Sequence, residues 1–428
     1  MASISTLWEP FGLGGNPFFQ SELSPGDPVH PVSLFVGRDA ELERVRRRLS
    51  TDTATRTIVE GAPGVGKTSF VNRLKSDLAK HGIATYDRPI RIESQSTRSS
   101  FVADVLRTLM RIRLGMGLKN GTGIWARTAR LLEGEELVGG SVAVMGVGGG
   151  FTRGYAAPQA PPDSLYEHLG AALQELSREL DAPVVLHVNN LEALTLERTE
   201  AAATLLLDLR DYLLLPGAHW LFVGATGIEE AIFRAHTQVS GIFPQALVLE
   251  SLPPQAVERV IELRYKHLKI RGQSITPPID PGEAARLYTL YQGDLRNFLR
   301  LLTEAAESLL GVHGIRPMTE LEVRRFGAAE YERKLRERLG EDDFGHLARI
   351  LADHADAEVR VTEAARSTKM SQGAASKLVQ RLEHKRAIHQ TRTAGKSRYY
   401  RPFGDVLIAF GVEPDTLLAE GSSRQGRP

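Results

Sequence analysis

Apolar positions along this chain follow two regimes. Between 57 and 249, short apolar runs (Thr57–Val59, Ile83–Tyr86, Pro183–Val188, Trp220–Gly224, Ala246–Leu249) alternate with stretches whose apolar residues recur every three or four positions (Ala40–Leu49, Ser69–Leu74, Ser100–Leu114, Ser164–Leu180, Ala201–Leu215). Continuous apolar runs suit strands covered on both faces, and the longer period suits helices. The pattern therefore predicts β-α-β-α alternation and a parallel sheet, with Asp39 a candidate cap for the first helix. From Pro254 the strand-type runs stop, and helices are predicted over 254–269, 281–291, 295–310 and 320–339 as a helical lid. Beyond Glu341 come helices at 343–354, 362–368 and 371–387, with a break at 368–370. A hairpin follows, from Ile388–Arg392 through a turn at 394–397 to Arg398–Arg401. That order outlines a winged helix-turn-helix.

Two segments fit neither period. Residues 1–34, rich in Pro, Gly and aromatics (Trp8, Phe11, Phe18, Phe19), read as an extended arm on the body of the protein. Residues 115–162, glycine-dense at Gly139–Phe151 and proline-rich at Ala156–Pro162, read as an insertion, as a β-hairpin at the edge of the domain. It serves either as a mobile loop or as a contact surface for DNA or a neighbouring subunit. The expected divisions are an arm (1–34), an α/β core (35–250), a lid (251–340), a winged helix (341–412) and a tail (413–428), disordered after Glu420.

The strongest local signal is Gly61-Ala62-Pro63-Gly64-Val65-Gly66-Lys67-Thr68-Ser69, which fits G-x-x-x-x-G-K-[ST] between a predicted strand and a predicted helix. Glycines let backbone N–H groups curl round phosphate oxygens, and the helix N-terminus adds positive partial charge. Lys67 would reach the β- and γ-phosphates of ATP, and the Thr68 hydroxyl would ligate Mg²⁺. A nucleotidase also needs an acidic group where a neighbouring strand ends. Here the run Val184–Val188 ends in Asn189 and Asn190, with Glu192 the nearest carboxylate. An amide accepts a hydrogen bond from a metal-bound water but is no base, so tight binding with slow or absent hydrolysis is expected. Thr226, after the Trp220–Val223 strand, is placed to sense the γ-phosphate. Arg296, in Gly293-Asp294-Leu295-Arg296 at the start of a lid helix, is placed to couple lid angle to nucleotide. Arg210 and Arg234 are both conceivable as arginines acting from a neighbouring subunit.

Composition narrows the setting. At 428 residues the chain holds roughly three domains. Its 42% hydrophobic and 25% charged residues suit a globular protein, and no apolar run approaches membrane-span length. The N-terminus lacks a signal-peptide pattern, and the absence of cysteine excludes disulfides and thiolate metal sites. A cytoplasmic setting is the simple expectation. Net charge is only +1, yet residues 361–402 carry ten Lys or Arg against Glu363 and Glu383, a local +8. Such an end suits duplex DNA. On the helix after the break, Ser371, Gln372, Lys377, Gln380 and Arg381 can face outward; on the hairpin, Lys396 and Arg398 can meet phosphate or the minor groove. The alternative is a winged helix used for protein contacts.

Taken together, Gly37-Arg38, the loop 61–68, the strand end Asn189–Glu192, Gly293–Arg296 and the C-terminal winged helix resemble the origin-recognition and cell-division-control initiator group of AAA+ ATPases. The resemblance spans roughly 32–403. It implies a five-stranded parallel sheet with a helical lid, ATP bound at subunit junctions of a homo-oligomer or with a related AAA+ subunit, and a winged helix gripping duplex DNA. It also implies Lys67 and Thr68 as phosphate and metal residues, Thr226 as first sensor and Arg296 as second. An insertion before the second acidic motif, the place of 115–162 here, contacts DNA in that group. Two departures stand out. The group's Asp-Glu is Asn189-Asn190, and Val239–Ile242 offers no arginine where the group carries its finger. Transposon-regulator and bacterial signalling ATPases share much of this pattern. An ATP-regulated DNA binder, a signalling ATPase whose output is self-assembly, and an active motor thus remain as readings.

Overall fold

A computed structural model describes residues 6–50, 54–93, 95–138, 162–191, 199–229, 237–310, 315–354, 358–394 and 397–414. The chain forms two compact units, Glu22–Glu250 and Met1–Ser21 with Ser251–Pro428. Among the described residues no helix is long and apolar enough to cross a membrane.

In the Glu22–Glu250 unit, β1 (Arg56–Gly61), β2 (Ile90–Arg91), β3 (Val184–Asn189), β4 (Ala218–Ala225) and β5 (Leu247–Leu249) form one parallel sheet in the order β2-β3-β4-β1-β5. Alternate strand residues serve opposite faces, as the pleat requires. Val59, Val185, Leu221 and Val223 pack with α1 (Asp39–Leu49) and α2 (Lys67–Lys80) through Leu42, Phe70 and Leu74. Ile58, Leu186, Trp220 and Phe222 pack on the other face with α3 (Arg98–Gly115), α4 (Gly123–Val138) and α5 (Pro162–Leu180). The expected helix 201–215 is divided into α6 (Thr199–Asp208) and α7 (Arg210–Leu213), and α8 (Thr237–Ser240) precedes β5.

Three expectations are corrected in this unit. Residues 83–86 make only a bridge, Thr85 to Val185, and the edge strand is Ile90–Arg91. The reason is Lys75, buried on α2, whose ammonium takes the carbonyls of Tyr86 (2.9 Å) and Asp87 (2.7 Å) that a ladder would have used. Asp39 opens α1 but does not cap it; the N-cap is Arg38, in the left-handed region at φ 65°. The 115–162 segment contains α4, whose Trp125, Thr128 and Leu132 are buried and whose Thr128 hydroxyl meets His168 Nε2 of α5 at 2.8 Å. The expected hairpin at Gly139–Phe151, and residues 156–161 of the proline-rich Ala156–Pro162, lie outside the described residues.

The other unit begins with the first part of the arm, up to Ser21, which is anchored into that unit's core. Trp8, Phe11, Leu13 and Phe18 are buried, and Glu9–Phe11 form a 3₁₀ turn. Gly14 N–H donates to the Leu268 carbonyl (2.8 Å) and Ile270 N–H to that of Gly12 (2.9 Å). Arg264, wholly buried, donates to the carbonyls of Pro17 (3.2 Å) and Phe19 (2.8 Å) and lies 3.8 Å from the Phe19 ring centroid. Burial brings its guanidinium down to about 9.

Helices α9 (Pro254–His267), α10 (Pro281–Tyr288), α11 (Leu295–Leu309) and α12 (Glu320–Leu339) follow as expected. Then α13 (Glu341–His354), β6 (Val359–Arg360), α14 (Val361–Thr368), α15 (Gln372–His384), β7 (Ile388–Ala394) and β8 (Ser397–Pro402) make a winged helix, its antiparallel sheet ordered β6-β8-β7. Lys369, left-handed at φ 56°, makes the break between α14 and α15. A final helix, α16 (Gly404–Ala409), was not expected. Its Val406, Leu407 and Ile408 join Tyr291, Phe298, Leu301 and Tyr331 in one core that runs from the lid helices through the winged helix.

Candidate functional site

The P-loop stands where strand, loop and helix place it. Gly61, the last residue of β1, pairs with Ala225 of β4 and Leu249 of β5, so the loop opens at the C-terminal edge of the sheet. Parallel α/β sheets bind ligands at that edge. Gly64 (φ 79°) and Gly66 (φ 93°) are left-handed. Gly61 is fixed by space, since a Cβ there would lie 2.8 Å from Val65 Cγ1 and 3.0 Å from the Leu249 carbonyl oxygen. Val65 is buried beneath the loop, while Ala62 and Pro63 are exposed. Lys67 ammonium donates to the carbonyls of Gly61 (2.8 Å) and Ala62 (3.1 Å). It is thereby kept at the loop, over first-turn N–H groups of α2 that have no intrahelical acceptor. Thr68, also in that first turn, is half-buried.

Two residues not singled out for this site brace it. Arg38 donates to the carbonyls of Val65 (3.0 Å) and Glu250 (2.7 Å), tying the P-loop to the chain after β5. Glu60, buried in β1, accepts the N–H groups of Gly227 (3.0 Å) and Glu229. Glu229 in turn accepts from Ala246 N–H at 3.0 Å, so one chain of carboxylates fixes the loop after β4 between β1 and β5. A lone acid between Val59 and Gly61 was the available signal, because a buried carboxylate requires donors. Thr226 is exposed on that braced loop, one residue beyond the Gly61–Ala225 pair. Ser69, expected to face the nucleotide, uses its hydroxyl to accept the Leu23 N–H at 3.1 Å, and Asn72 donates to the Leu23 carbonyl at 2.9 Å.

Asn189 ends β3, as expected, at the same edge. Its Oδ1 accepts the Asn190 N–H at 2.9 Å. Asn190 is left-handed at φ 73°, a conformation Asn tolerates better than most residues, and its amide donates to the Ile92 carbonyl at 3.1 Å. Its side chain is thus engaged with the end of the neighbouring strand. Glu192 and Arg234 lie outside the described residues. Arg210 opens α7, its guanidinium 3.5 Å from Asp211. Among the described residues no three His, Asp or Glu gather as a metal cluster.

In the other unit, each residue of Gly293–Arg296 has a local reason. Gly293 is at φ 105°, and a Cβ there would overlap the Ser251 hydroxyl. Asp294 caps α11 by accepting the Asn297 N–H at 3.0 Å. Arg296 is left exposed in the first turn.

The winged helix presents part of its basic surface. Arg381 is half exposed and forms a fork on Asp343 of α13 (2.7 and 3.2 Å), joined by Lys385 at 3.3 Å. Asp343 is held below the usual carboxylate range chiefly by Arg381. Arg401 lies 3.9 Å from Glu358. The local +8 is therefore reduced by two acids from outside the 361–402 window. Ser371 is the N-cap of α15, its hydroxyl accepting from Ala374 N–H at 3.3 Å. Gln372, Lys377, Gln380 and Arg398 are exposed. Lys396 lies outside the described residues.

With this geometry in place, comparison with known proteins gives a consistent answer. Residues 34–216 match the AAA ATPase domain family. Comparison with curated protein sequences finds no match. A Walker-type ATPase of Pyrococcus abyssi is 12% identical, with 92% of this chain and 100% of that one covered at a TM-score of 0.53. The Aeropyrum pernix ORC2 protein, solved as ADPNP–ADP complexes, is 13% identical over 96% and 100% at 0.50. The Aeropyrum pernix ORC1 protein, solved with DNA, is 16% identical over 91% and 94% at 0.44. At 12% and 13% identity, the likeness to the Walker-type ATPase and to ORC2 is one of fold.

Proposed function

We propose that this chain, whose residues 34–216 match the AAA ATPase domain family, binds Mg·ATP and duplex DNA, holding the nucleotide as a switch with little turnover. The observation that carries the reading is the intact P-loop at the same sheet edge as a strand end that has amides in place of carboxylates. The loop N–H groups and Lys67 fit a triphosphate. Thr68 and the phosphates themselves would hold Mg²⁺, which neutralises phosphate charge when bound. Asn189 supplies a neutral oxygen at most, and Asn190 is engaged elsewhere. Neither amide can act as a base for the attacking water, and slow hydrolysis is the outcome this reading expects. Thr226 and Arg296 are the sensors we assign to the γ-phosphate, with ATP favouring association with a second AAA+ subunit, the same chain or a related one.

Duplex binding is assigned to the winged helix, through Gln372 and Gln380 toward bases and Lys377, Lys396 and Arg398 toward phosphates. The P-loop half of the reading is tested by titrating a fluorescent ATP analogue with Mg²⁺ and by steady-state turnover. Lys67→Ala should weaken binding at least ~10-fold, since one charge-assisted phosphate contact is worth ~1.5–3 kcal/mol. Turnover of the wild type should fall far below the ~10 s⁻¹ typical of enzymes. Unchanged nucleotide binding in Lys67→Ala, or turnover at enzyme-like rates, contradicts the reading.

A further inference from the structure

Three uncharged polar side chains, Gln372, Ser376 and Gln380, recur at four-residue spacing along α15 and so share one helix face. With Arg398 and Tyr400 of β8 they line a groove of about 690 Å³ between the helix and the hairpin. Among the described residues none of the three spends its side chain on a hydrogen bond within the protein. Their neighbours differ. Ser371 is committed to capping, and Arg381 and Lys385 are committed to Asp343. Gly373 and Ala374, both exposed, add little bulk beside Gln372.

We propose that α15 reads base edges through Gln372, Ser376 and Gln380, selecting adenine at two positions, while Arg381 serves the fold and not the sequence. The inference rests on the duplex-binding reading above and adds the specificity that reading leaves open. Glutamine pairs in two-point fashion with adenine N6 and N7 in the major groove, whereas a hydroxyl accepts several partners. Gln372 and Gln380 are eight residues apart, roughly 12 Å along a helix rising 1.5 Å per residue. At ~3.4 Å per base step the two adenines stand about three to four base pairs apart. Lys377 and Arg398 flank the stripe and supply phosphate contacts that carry no sequence information.

The test is selection from a random duplex library with the full chain and Mg·ATP, followed by titration of the selected duplex and a scrambled one. Wild type should enrich a motif with two adenines at the stated separation. The double variant Gln372→Ala with Gln380→Ala should lose at least ~10-fold on the selected duplex and less than about 2-fold on the scrambled one, with the salt slope unchanged. Arg381→Ala should select the same motif as wild type. Tight duplex binding with no enriched motif, a motif that survives in the double variant, or a motif altered by Arg381→Ala overturns the inference while leaving duplex binding standing. Failure to bind any duplex removes the duplex-binding reading itself, and this inference with it.

Discussion

Gly404 offers a direct way to weigh the joint between the lid helices and the winged helix. A Cβ at this position would lie 2.5, 2.7 and 2.8 Å from Cδ1, Cγ and Cα of Tyr291. Ordinary carbon contacts are ~3.5–4.0 Å, so α16 or the turn at Tyr291 must retreat by about an ångström. The ring could swing, but Cα cannot, and Tyr291 is itself buried against Phe298. Overpacking of this kind costs about 1–3 kcal/mol, only partly offset by the helix propensity of alanine, which counts least in a first turn. For a unit of about 200 residues each kcal/mol is worth ~2–4 °C in Tm, so Gly404→Ala should melt ~2–12 °C lower by calorimetry of the full chain. Gly345→Ala, in α13 with nothing within 4 Å of the added carbon, is the control and should melt at or slightly above wild type. If Gly404→Ala melts with wild type while the control behaves as stated, the lid and winged helix do not share the tight core described.

Polar groups in the sheet and at the end of β3 give three further predictions. His187 is fully buried on β3 with neither ring nitrogen partnered, and burial first, then nearby Lys75, hold it well below the usual imidazole range. A base depressed in the folded state contributes stability that is present above ~6.5 and lost as pH falls toward the folded value. His187→Val should therefore flatten the fall of Tm between about pH 7 and 5, and at pH 7 should be neutral or stabilising by roughly 1 kcal/mol; a variant that melts with the same pH dependence as wild type refutes this. At the strand end, Asn189→Asp should raise ATP turnover in a steady-state assay. Asn190→Glu should instead lose about 1–3 kcal/mol of stability, read as a lower Tm, because it removes the bond to the Ile92 carbonyl and places a longer side chain at φ 73°. Equal turnover in Asn189→Asp and wild type would show that the missing carboxylate is not what limits hydrolysis.

What could be read from the residues divides along the range of the interactions involved. The P-loop was legible because strand, glycines and helix are consecutive, and the winged helix because a helical period gives way to alternation at Ile388. The edge strand was misplaced because Lys75, many residues earlier, withdraws the carbonyls of Tyr86 and Asp87 from pairing. Helix α4 was hidden by the glycines that follow it, although Trp125, Thr128 and Leu132 carry its period. The arm's aromatics announced burial but not where. Only the fold brings Phe18 to Tyr265 and the carbonyls of Pro17 and Phe19 to Arg264. Charge counting over 361–402 likewise missed Asp343 and Glu358, which reach the basic surface from outside the window.

Affinity for one duplex, measured by anisotropy at fixed salt with and without Mg·ATP, bears most directly on nucleotide-controlled DNA binding. A coupling of the usual size between two sites, ~1–3 kcal/mol, predicts roughly 5- to 150-fold tighter binding with ATP. Equal affinity in the two conditions, within twofold, would contradict it.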